Sequence, residues 1–178
     1  MRKRTLPLAR VYRLLEPGPV VLLTTAHKGR ANVMALSWHT MLEFEPPLVG
    51  CVVSNRNHSF EALRTTGECV IAIPTAEIAP KVVRCGNVSG RRIDKFAAVG
   101  LTPVPATLVG APLVAECRAN LECKVVDRRM VNTYNFFVLE VVHAWIEPGR
   151  KELRTIHHRG RGVFMIAGPT LKLPSRKK

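Results

Sequence analysis

Short apolar runs, each bounded by polar, glycine or proline residues, recur along most of this chain. The clearest alternation lies at Glu116 to Val125, where apolar residues occupy one face and charged or amide residues the other. Many short strands separated by turns predict a mainly β protein with a few helices, built as a closed antiparallel barrel. The other predicted strands are Val20 to Ala26, Asn32 to Leu42, Leu48 to Val53, Gly67 to Pro74 and Tyr134 to Glu147.

Three further segments carry the signals that start and stop helices. Gly67 is a typical helix stop, and Thr75 is a suitable N-cap. Cys85-Gly86 is the expected exit of the second helix, and Pro17-Gly18-Pro19 ends the shortest one. The predicted helices are Asn57 to Thr66, Ala76 to Arg84 and Arg10 to Leu15.

Two stretches concentrate polar side chains, Ser54 to Ser59 and Asn87 to Phe96. The first combines hydroxyl, amide and guanidinium groups at the start of a predicted helix. Unpaired backbone N–H groups and the helix dipole favour an anion there, and Arg56 adds a planar fork for phosphate oxygens. Alternatively, Asn57 is an ordinary helix cap and Arg56 a solvated surface residue.

Composition and charge narrow the class of protein. The chain has 178 residues, 47% hydrophobic and 22% charged, which is typical of a folded domain. Its net charge is +14, but residues 1–13 carry +5 and residues 150–178 carry +8. Because the middle is nearly neutral, the core offers no broad positive surface for DNA, and we predict no nucleic-acid partner. We predict a basic segment over residues 1–16 that packs on the barrel, one domain over 17–168 and a basic tail over 169–178.

The tail LKLPSRKK is most simply a solvated terminus, and alternatively a steering patch for an acidic partner or an anionic cofactor. The start, MRKRTLPLARVYRLL, lacks the apolar region and cleavage site of a secretory signal. No apolar run approaches the roughly 20 residues that span a bilayer. Five cysteines, an odd number, indicate reduced thiols, so we expect a cytoplasmic protein without a membrane span.

Several sites are not indicated by the sequence. It contains no Gly-x-Gly-x-x-Gly, no Gly-x-x-x-x-Gly-Lys-Ser/Thr and no Gly-x-Ser-x-Gly, the marks of a Rossmann fold, a P-loop and a nucleophile elbow. Cys117 and Cys123 are predicted on one strand face, about 20 Å apart, too far to share a disulfide or a zinc ion. We therefore predict core thiols and no metal.

Five blocks keep one order from about Pro17 to Trp145. They are PGPVVLLTT, ANVMALSWHTMLEFEPPLVGCVVSNRNHSFEAL, GECVIAIPT, CGNVSGRRIDKFAAVGL and APLVAECRANLECKVV. Together they resemble the flavin reductase-like family of FMN-binding split barrels, which includes flavoredoxins. The resemblance implies a six-stranded antiparallel split β-barrel of Greek-key type. It also implies FMN as cofactor, NADH or NADPH as electron donor, and a homodimer with FMN near the subunit boundary.

The resemblance also implies which residues meet FMN. The main chain from Met34 to Trp38 would contact the isoalloxazine ring. Ser89, Gly90 and Lys95 would approach the ribityl phosphate, where Lys95 is a point charge and Arg56 a fork. No residue is predicted to act as a catalytic acid or base. The predicted cofactor-binding residues are Asn32, Met34, Ala35, Leu36, Ser37, Trp38, Ser54, Asn55, Arg56, Asn57, Ser59, Ser89, Gly90 and Lys95.

Several of these residues keep a second interpretation. Trp38 is equally suited to the core or to a dimer interface. Lys95 could instead pair with Asp94 or lie in water. Either His157 or His158, but not both, could influence the flavin ring, because neighbouring residues on a strand face opposite ways.

The leading functional hypothesis is an FMN-binding flavin reductase-like oxidoreductase that passes electrons from NAD(P)H through FMN to an acceptor. A second hypothesis is a flavoredoxin-type electron-transfer flavoprotein with a protein partner and little NAD(P)H turnover. A third is a split barrel that acts as a ligand-binding module.

Overall fold

The computed structural model describes residues 18–147 and 154–173. Four helices lie in these residues, α1 (His58–Thr66), α2 (Ala79–Asn87), α3 (Lys95–Val99) and α4 (Val131–Tyr134), with a 3₁₀ turn at Ala76–Ile78. The described strands are β1 (Val21–His27), β2 (Arg30–Leu36), β3 (His39–Glu43), β4 (Leu48–Val52), β5 (Glu68–Ile73), β6 (Pro103–Val104), β7 (Leu113–Val114), β8 (Ala119–Asp127), β9 (Phe136–Ile146), β10 (Ile156–His158) and β11 (Phe164–Ile166). The helix predicted at Arg10 to Leu15 and the end of the basic tail lie outside the described residues.

Seven antiparallel strands form one sheet, in the order β2, β1, β5, β8, β9, β4, β3. Its two edge strands, β2 and β3, are consecutive in the chain and are joined only by Ser37 and Trp38. Three Cα steps span at most about 11 Å. The end of β2 and the start of β3 therefore lie close together, and the sheet curls into a barrel that is split between its two edge strands. The predicted antiparallel split β-barrel is confirmed.

The strand count differs from the predicted six because the strand expected at Asn32 to Leu42 is interrupted. Its first half, β2, pairs with β1, whereas its second half, β3, pairs with β4 on the opposite edge. The Val52 N–H donates to the Trp38 carbonyl at 3.0 Å, which ties the interruption to the β4 side. One continuous apolar stretch of the sequence therefore contributes to both edge strands of the barrel.

Local turn chemistry places the first hairpin and the first helix as predicted. Lys28 and Gly29 form the two-residue β1–β2 turn with φ of 50° and 73°, which suits the twist of a hairpin. Helix α1 ends at Gly67, whose φ is 70° and whose N–H donates to the Leu63 carbonyl.

The strands of the barrel are covered on both faces. One apolar cluster includes Val21, Leu23 and Phe137, and a second includes Val20, Leu22 and helix residues such as Val82 and Phe96. Since neighbouring β1 residues enter different clusters, β1 is buried on both sides, as its continuous apolar run predicts.

Two predicted details near the cysteines are wrong. Cys117 packs in the second cluster and Cys123 in the first, so they do not share a face; β8 begins only at Ala119. Cys85 and Gly86 do not end the second helix, because α2 continues through them to Asn87. All five thiols are nevertheless buried and free, as expected of core cysteines.

A buried carboxylate fastens the segment between β6 and β7 to the sheet. Glu122 on β8 is 0% exposed and accepts hydrogen bonds from the Thr107 N–H at 3.0 Å and the Leu108 N–H at 2.6 Å. The Trp145 indole N–H donates to the same carboxylate at 2.8 Å. Three donors compensate for its burial and hold its pKa below the usual value.

None of the described helices is both long and apolar enough to cross a membrane.

Candidate functional site

Helix α1 begins beside the break between the two barrel edges. Its N-cap residue, Asn57, has an extended backbone and makes no side-chain capping hydrogen bond. The Asn57 N–H donates to the Ser54 carbonyl, and the Arg56 N–H donates to the Ser54 hydroxyl, so the preceding turn is ordered by the chain itself. The amide of Asn57 is thus not used as a helix cap, and the start of α1 remains suited to an anion.

A hydrogen bond joins this helix start to the edge strand β2. The Asn32 Nδ2 donates to the Ser59 hydroxyl at 2.8 Å, and both residues are buried. Gly90 packs on Asn32 and on the first residue of α1: a Cβ built there would lie 2.1 Å from the Asn32 Oδ1 and 2.9 Å from the His58 Cδ2. Strand β2, helix α1 and the loop after α2 therefore meet at Asn32, and only glycine fits at this meeting point.

Lys95 comes to the same place from the start of α3. Its neighbour Asp94 caps α3 by accepting from the Ala97 N–H at 3.2 Å, so it is engaged by its own helix. Lys95 is only 4% exposed and is hydrogen-bonded to the Cys85 thiol. Burial lowers the pKa of Lys95, and Cys85 opposes that shift. The alternative of a Lys95 side chain in water is wrong.

Cys85 lies beneath Lys95 and against the edge strand. Its Sγ donates to the Val33 carbonyl at 3.4 Å. Burial raises the pKa of this thiol, whereas Lys95 acts in the opposite direction. Cys85 is therefore a buried thiol that lies beside the Lys95 amine at the floor of the site.

These elements enclose a cleft of ≈ 350 Å³, which we call the main cleft. A second cleft of ≈ 240 Å³, the ring cleft, shares Met34, Ala35 and Asn57 with it and continues along β2 to Trp38. The main cleft is polar, and among the described residues that line it none is acidic. Its lining is Asn32, Met34, Ala35, Arg56, Asn57, His58, Ser59, Cys85, Gly86, Asn87, Val88, Ser89, Gly90 and Lys95.

The structure brings thirteen of the fourteen predicted cofactor-binding residues into these two adjoining clefts. Leu36, Ser37, Trp38 and Ser54 lie in the ring cleft. Asn55 is exposed and lines neither cleft. Segments that are up to 63 positions apart in sequence, from Asn32 to Lys95, therefore form one continuous groove.

Sequence reasoning missed part of the main cleft. One missed residue is the first residue of α1, and the others lie along the end of α2 and at the start of the loop that follows it. A prediction that α2 extends to Asn87 would have indicated the residues at the end of α2. The missed residues are His58, Cys85, Gly86, Asn87 and Val88.

The formal charge of the residues that line the groove is positive. His58 has its pKa lowered first by burial and then by the charges of Arg91, Arg30 and Lys95. Arg56 adds a further cation to the lining. Cationic side chains and the N-terminus of α1 line the same cleft, which can therefore bind a phosphate.

The structure also bears on the second interpretations given for Trp38, His157 and His158. Trp38 is 56% exposed, so it is not a core residue. His157 and Thr155 are hydrogen-bonded at 2.8 Å, and His158 contacts the Phe164 ring. Neither histidine lines the two clefts. Within residues 18–147 and 154–173, no three His, Cys, Asp or Glu side chains are grouped as metal ligands.

The flavin reductase-like domain model matches residues 12–164 of this chain. An uncharacterized protein of Escherichia coli K12, YddH, is 35% identical over 170 residues, 88% of this chain and 90% of that protein. The structure of an FMN-binding domain of a flavin reductases-like enzyme from Shewanella baltica superposes with a TM-score of 0.82 at 28% identity, over 95% of this chain and 96% of that one. A flavoredoxin from Methanosarcina acetivorans gives a TM-score of 0.84 at 28% identity, over 99% and 97% of the two chains.

Proposed function

This chain belongs to the flavin reductase-like domain family, and we propose that it is an oxidoreductase that binds FMN and passes electrons from NADH or NADPH through it to an acceptor. The observation that carries the proposal is the continuous groove from Trp38 to Lys95. One end has the cations and helix N-terminus that suit a phosphate, and the other has an edge strand beside an exposed aromatic side chain.

The phosphate end would be formed by hydroxyl and amide donors together with two cations. Arg56 can approach phosphate oxygens as a planar fork, and the buried Lys95 as a point charge. Ser59 and Ser89 supply hydroxyls near them. A ligand phosphate would also offset the burial cost of the Lys95 charge, since opposite charges favour each other's ionised forms.

The ring end would use the backbone from Met34 to Trp38, which begins in β2 and continues past the end of that strand at Leu36. This strand is at the edge of the sheet and pairs with β1 on one side only. Alternate N–H and C=O groups on its other side can match the carbonyl and N–H groups of a pyrimidine edge. FMN itself supplies the two-electron redox chemistry when bound, and the protein orients and tunes it.

We further propose a homodimer formed through β3, with FMN near the subunit boundary. Four large apolar side chains along and beside β3 are exposed, at 45% to 84%. Contiguous exposed apolar residues of this kind are typical of interaction surfaces. They are Trp38, Met41, Leu42 and Phe44.

An electron-transfer flavoprotein of the flavoredoxin type is the second candidate, supported by the similarity to the Methanosarcina protein. Such a protein would bind FMN in the same groove, turn over NAD(P)H slowly and exchange electrons with a protein partner.

The decisive experiment is the visible spectrum of purified protein with and without added FMN, followed by anaerobic addition of NADH or NADPH. Flavin bands that bleach within seconds support the reductase. Flavin bands that persist with NAD(P)H but bleach with dithionite favour the electron-transfer protein. A protein that acquires no flavin bands contradicts FMN binding altogether.

A further inference from the structure

Cys85 lies where the end of α2 meets the outer edge of β2. It is 0% exposed and belongs to the second apolar cluster. A Cβ built at the next residue, Gly86, would lie 3.7 Å from the Ala35 Cβ, so this part of α2 packs directly against the strand. Cys85 therefore stands between the sheet and the helix that contributes one wall of the main cleft.

The thiol of Cys85 is hydrogen-bonded to both β2 and the first residue of α3. Its Sγ donates to the Val33 carbonyl at 3.4 Å, and it is also hydrogen-bonded to the Ala35 backbone and the Lys95 side chain. A thiol has a single hydrogen to donate, so the Ala35 N–H and the Lys95 amine are the donors in the other two contacts. Because residues two apart on a strand present their backbone groups to the same side, the sulfur takes the place of a further strand beside β2.

Strand β2 is a rigid support for this contact, whereas Lys95 is not rigid by itself. Seven consecutive residue pairs join β2 to β1, which is buried on both sides. Lys95 has a flexible four-carbon side chain and begins a helix of only five residues. A hydrogen bond to a sulfur that rests on β2 therefore limits the positions that the Lys95 amine can take.

The position of this amine matters at the phosphate end of the groove. Lys95 is 4% exposed and lines the main cleft together with Arg56, Ser59 and Ser89. An ammonium group has three N–H donors, so one can bind the thiol while the others remain for a phosphate.

We propose that Cys85 is a positioning residue for FMN, whose thiol holds the Lys95 amine at a fixed place relative to β2, where the amine can bind the FMN phosphate. This inference rests on the proposed function, because it assigns the FMN phosphate to Lys95. The alternative is a cysteine that only fills space in the apolar cluster. Cys117 lies in the same cluster and lines neither the main cleft nor the ring cleft, so it is the matched control.

The first part of the test measures FMN affinity by fluorescence quenching for wild type, Cys85→Ala, Cys85→Ser and Cys117→Ala. Cys85→Ala should bind FMN about fivefold more weakly, because the amine loses its support. Cys85→Ser should stay within about twofold of wild type, since a hydroxyl can make the same three contacts. A residue that only filled space would be replaced at least as well by alanine as by serine. Cys117→Ala should bind FMN as wild type does.

The second part is a double-mutant cycle with Lys95→Met, which shows whether Cys85 acts through Lys95. In the Lys95→Met background, Cys85→Ala should change FMN affinity by less than about twofold, because no amine is left to position. Thermal unfolding of each flavin-free variant shows that it is folded. If Cys85→Ala does not fold, Cys85→Val takes its place, since valine fills the space without a hydrogen bond.

Three results would each overturn the inference and leave the proposed function standing. They are an unchanged FMN affinity in Cys85→Ala, the same loss of affinity in both backgrounds of the cycle, and a folded serine variant that binds FMN as weakly as the alanine variant. Failure of the wild type to bind FMN would overturn the inference and the proposed function together.

Discussion

Gly90 shows how a single residue limits the shape of the groove. A Cβ at this position would overlap the amide of Asn32, whereas a Cβ at Gly86, in the same cleft, would meet its nearest atom at 3.7 Å. We expect Gly90→Ala to break the Asn32–Ser59 hydrogen bond and lower the free energy of unfolding by about 1–3 kcal/mol. Gly86→Ala, inside α2, should raise it by about 0.5–1 kcal/mol. Urea unfolding of the flavin-free variants measures both, and equal stabilities would contradict the close packing at Gly90.

The charge of Lys95 affects both the stability of the flavin-free protein and the binding of FMN. Its folded pKa is below the ordinary 10.5 because it is buried, so the unfolded chain binds this proton more tightly. The flavin-free protein should therefore gain stability as pH rises from the lowered pKa to 10.5, and lose it in the opposite direction. Lys95→Met should remove this pH dependence and stabilise the flavin-free protein at pH 7.

The same variant should bind FMN about ten- to a hundredfold more weakly, because a charge-assisted contact to the phosphate is lost. Lys124→Met, on the exposed side of β8, is the matched control and should bind FMN as wild type does. Fluorescence titration at pH 7 measures the affinities. Unchanged FMN affinity in Lys95→Met would refute the phosphate role of Lys95.

At the scale of the element, Glu122 connects two other parts of the chain to β8. Its carboxylate accepts from two backbone N–H groups of the β6–β7 segment and from the Trp145 indole. We expect Glu122→Ala to cost about 3 kcal/mol, because three donors lose a charged acceptor. Glu122→Gln should cost less, since one acceptor oxygen remains. Chemical unfolding at pH 7 measures both, and a wild-type stability for the alanine variant would contradict the role of the carboxylate.

The pH dependence of this contact has the opposite sign to that of Lys95. The pKa of Glu122 is below its ordinary 4.5 in the folded protein. Its stabilising effect is therefore complete above pH 4.5 and is lost as pH falls through the lower, folded pKa. The stability difference between wild type and Glu122→Ala should accordingly shrink in acid.

At the scale of the whole molecule, the exposed apolar side chains of β3 lie next to the ring cleft. If two copies pair through this face, Phe44→Glu and Leu42→Glu should convert a dimer into a monomer, because a buried charge opposes association. Val104→Glu, an equally apolar exposed position on β6, should remain dimeric. Light scattering coupled to size exclusion determines the mass, and a monomeric wild type would rule out the interface.

The dependence of FMN binding on dimer formation can be tested in the same samples. FMN affinity that falls when the dimer dissociates would indicate that the partner subunit completes the ring end of the groove. An affinity that stays unchanged would place the whole site within one chain.

Local patterns in the sequence determined the strands, the Lys28-Gly29 turn, the end of α1 at Gly67 and the buried state of the cysteines. These features depend on period-2 alternation and on the conformational freedom of neighbouring residues, which a short window contains. The family resemblance predicted which residues line the groove. Thirteen of the fourteen predicted cofactor-binding residues lie together in two clefts.

Tertiary structure alone decided the interruption of the Asn32 to Leu42 strand, the burial of Lys95 on Cys85, and the hydrogen bond from Asn32 to Ser59, which are 27 positions apart. It also decided that the Thr24 hydroxyl finds a partner 88 positions away, while the Thr25 hydroxyl finds none among the residues that the structure describes. Two adjacent threonines have the same local sequence signal. Their difference arises because the barrel turns successive side chains of one strand toward different neighbours, and those neighbours are brought there only when the sheet closes.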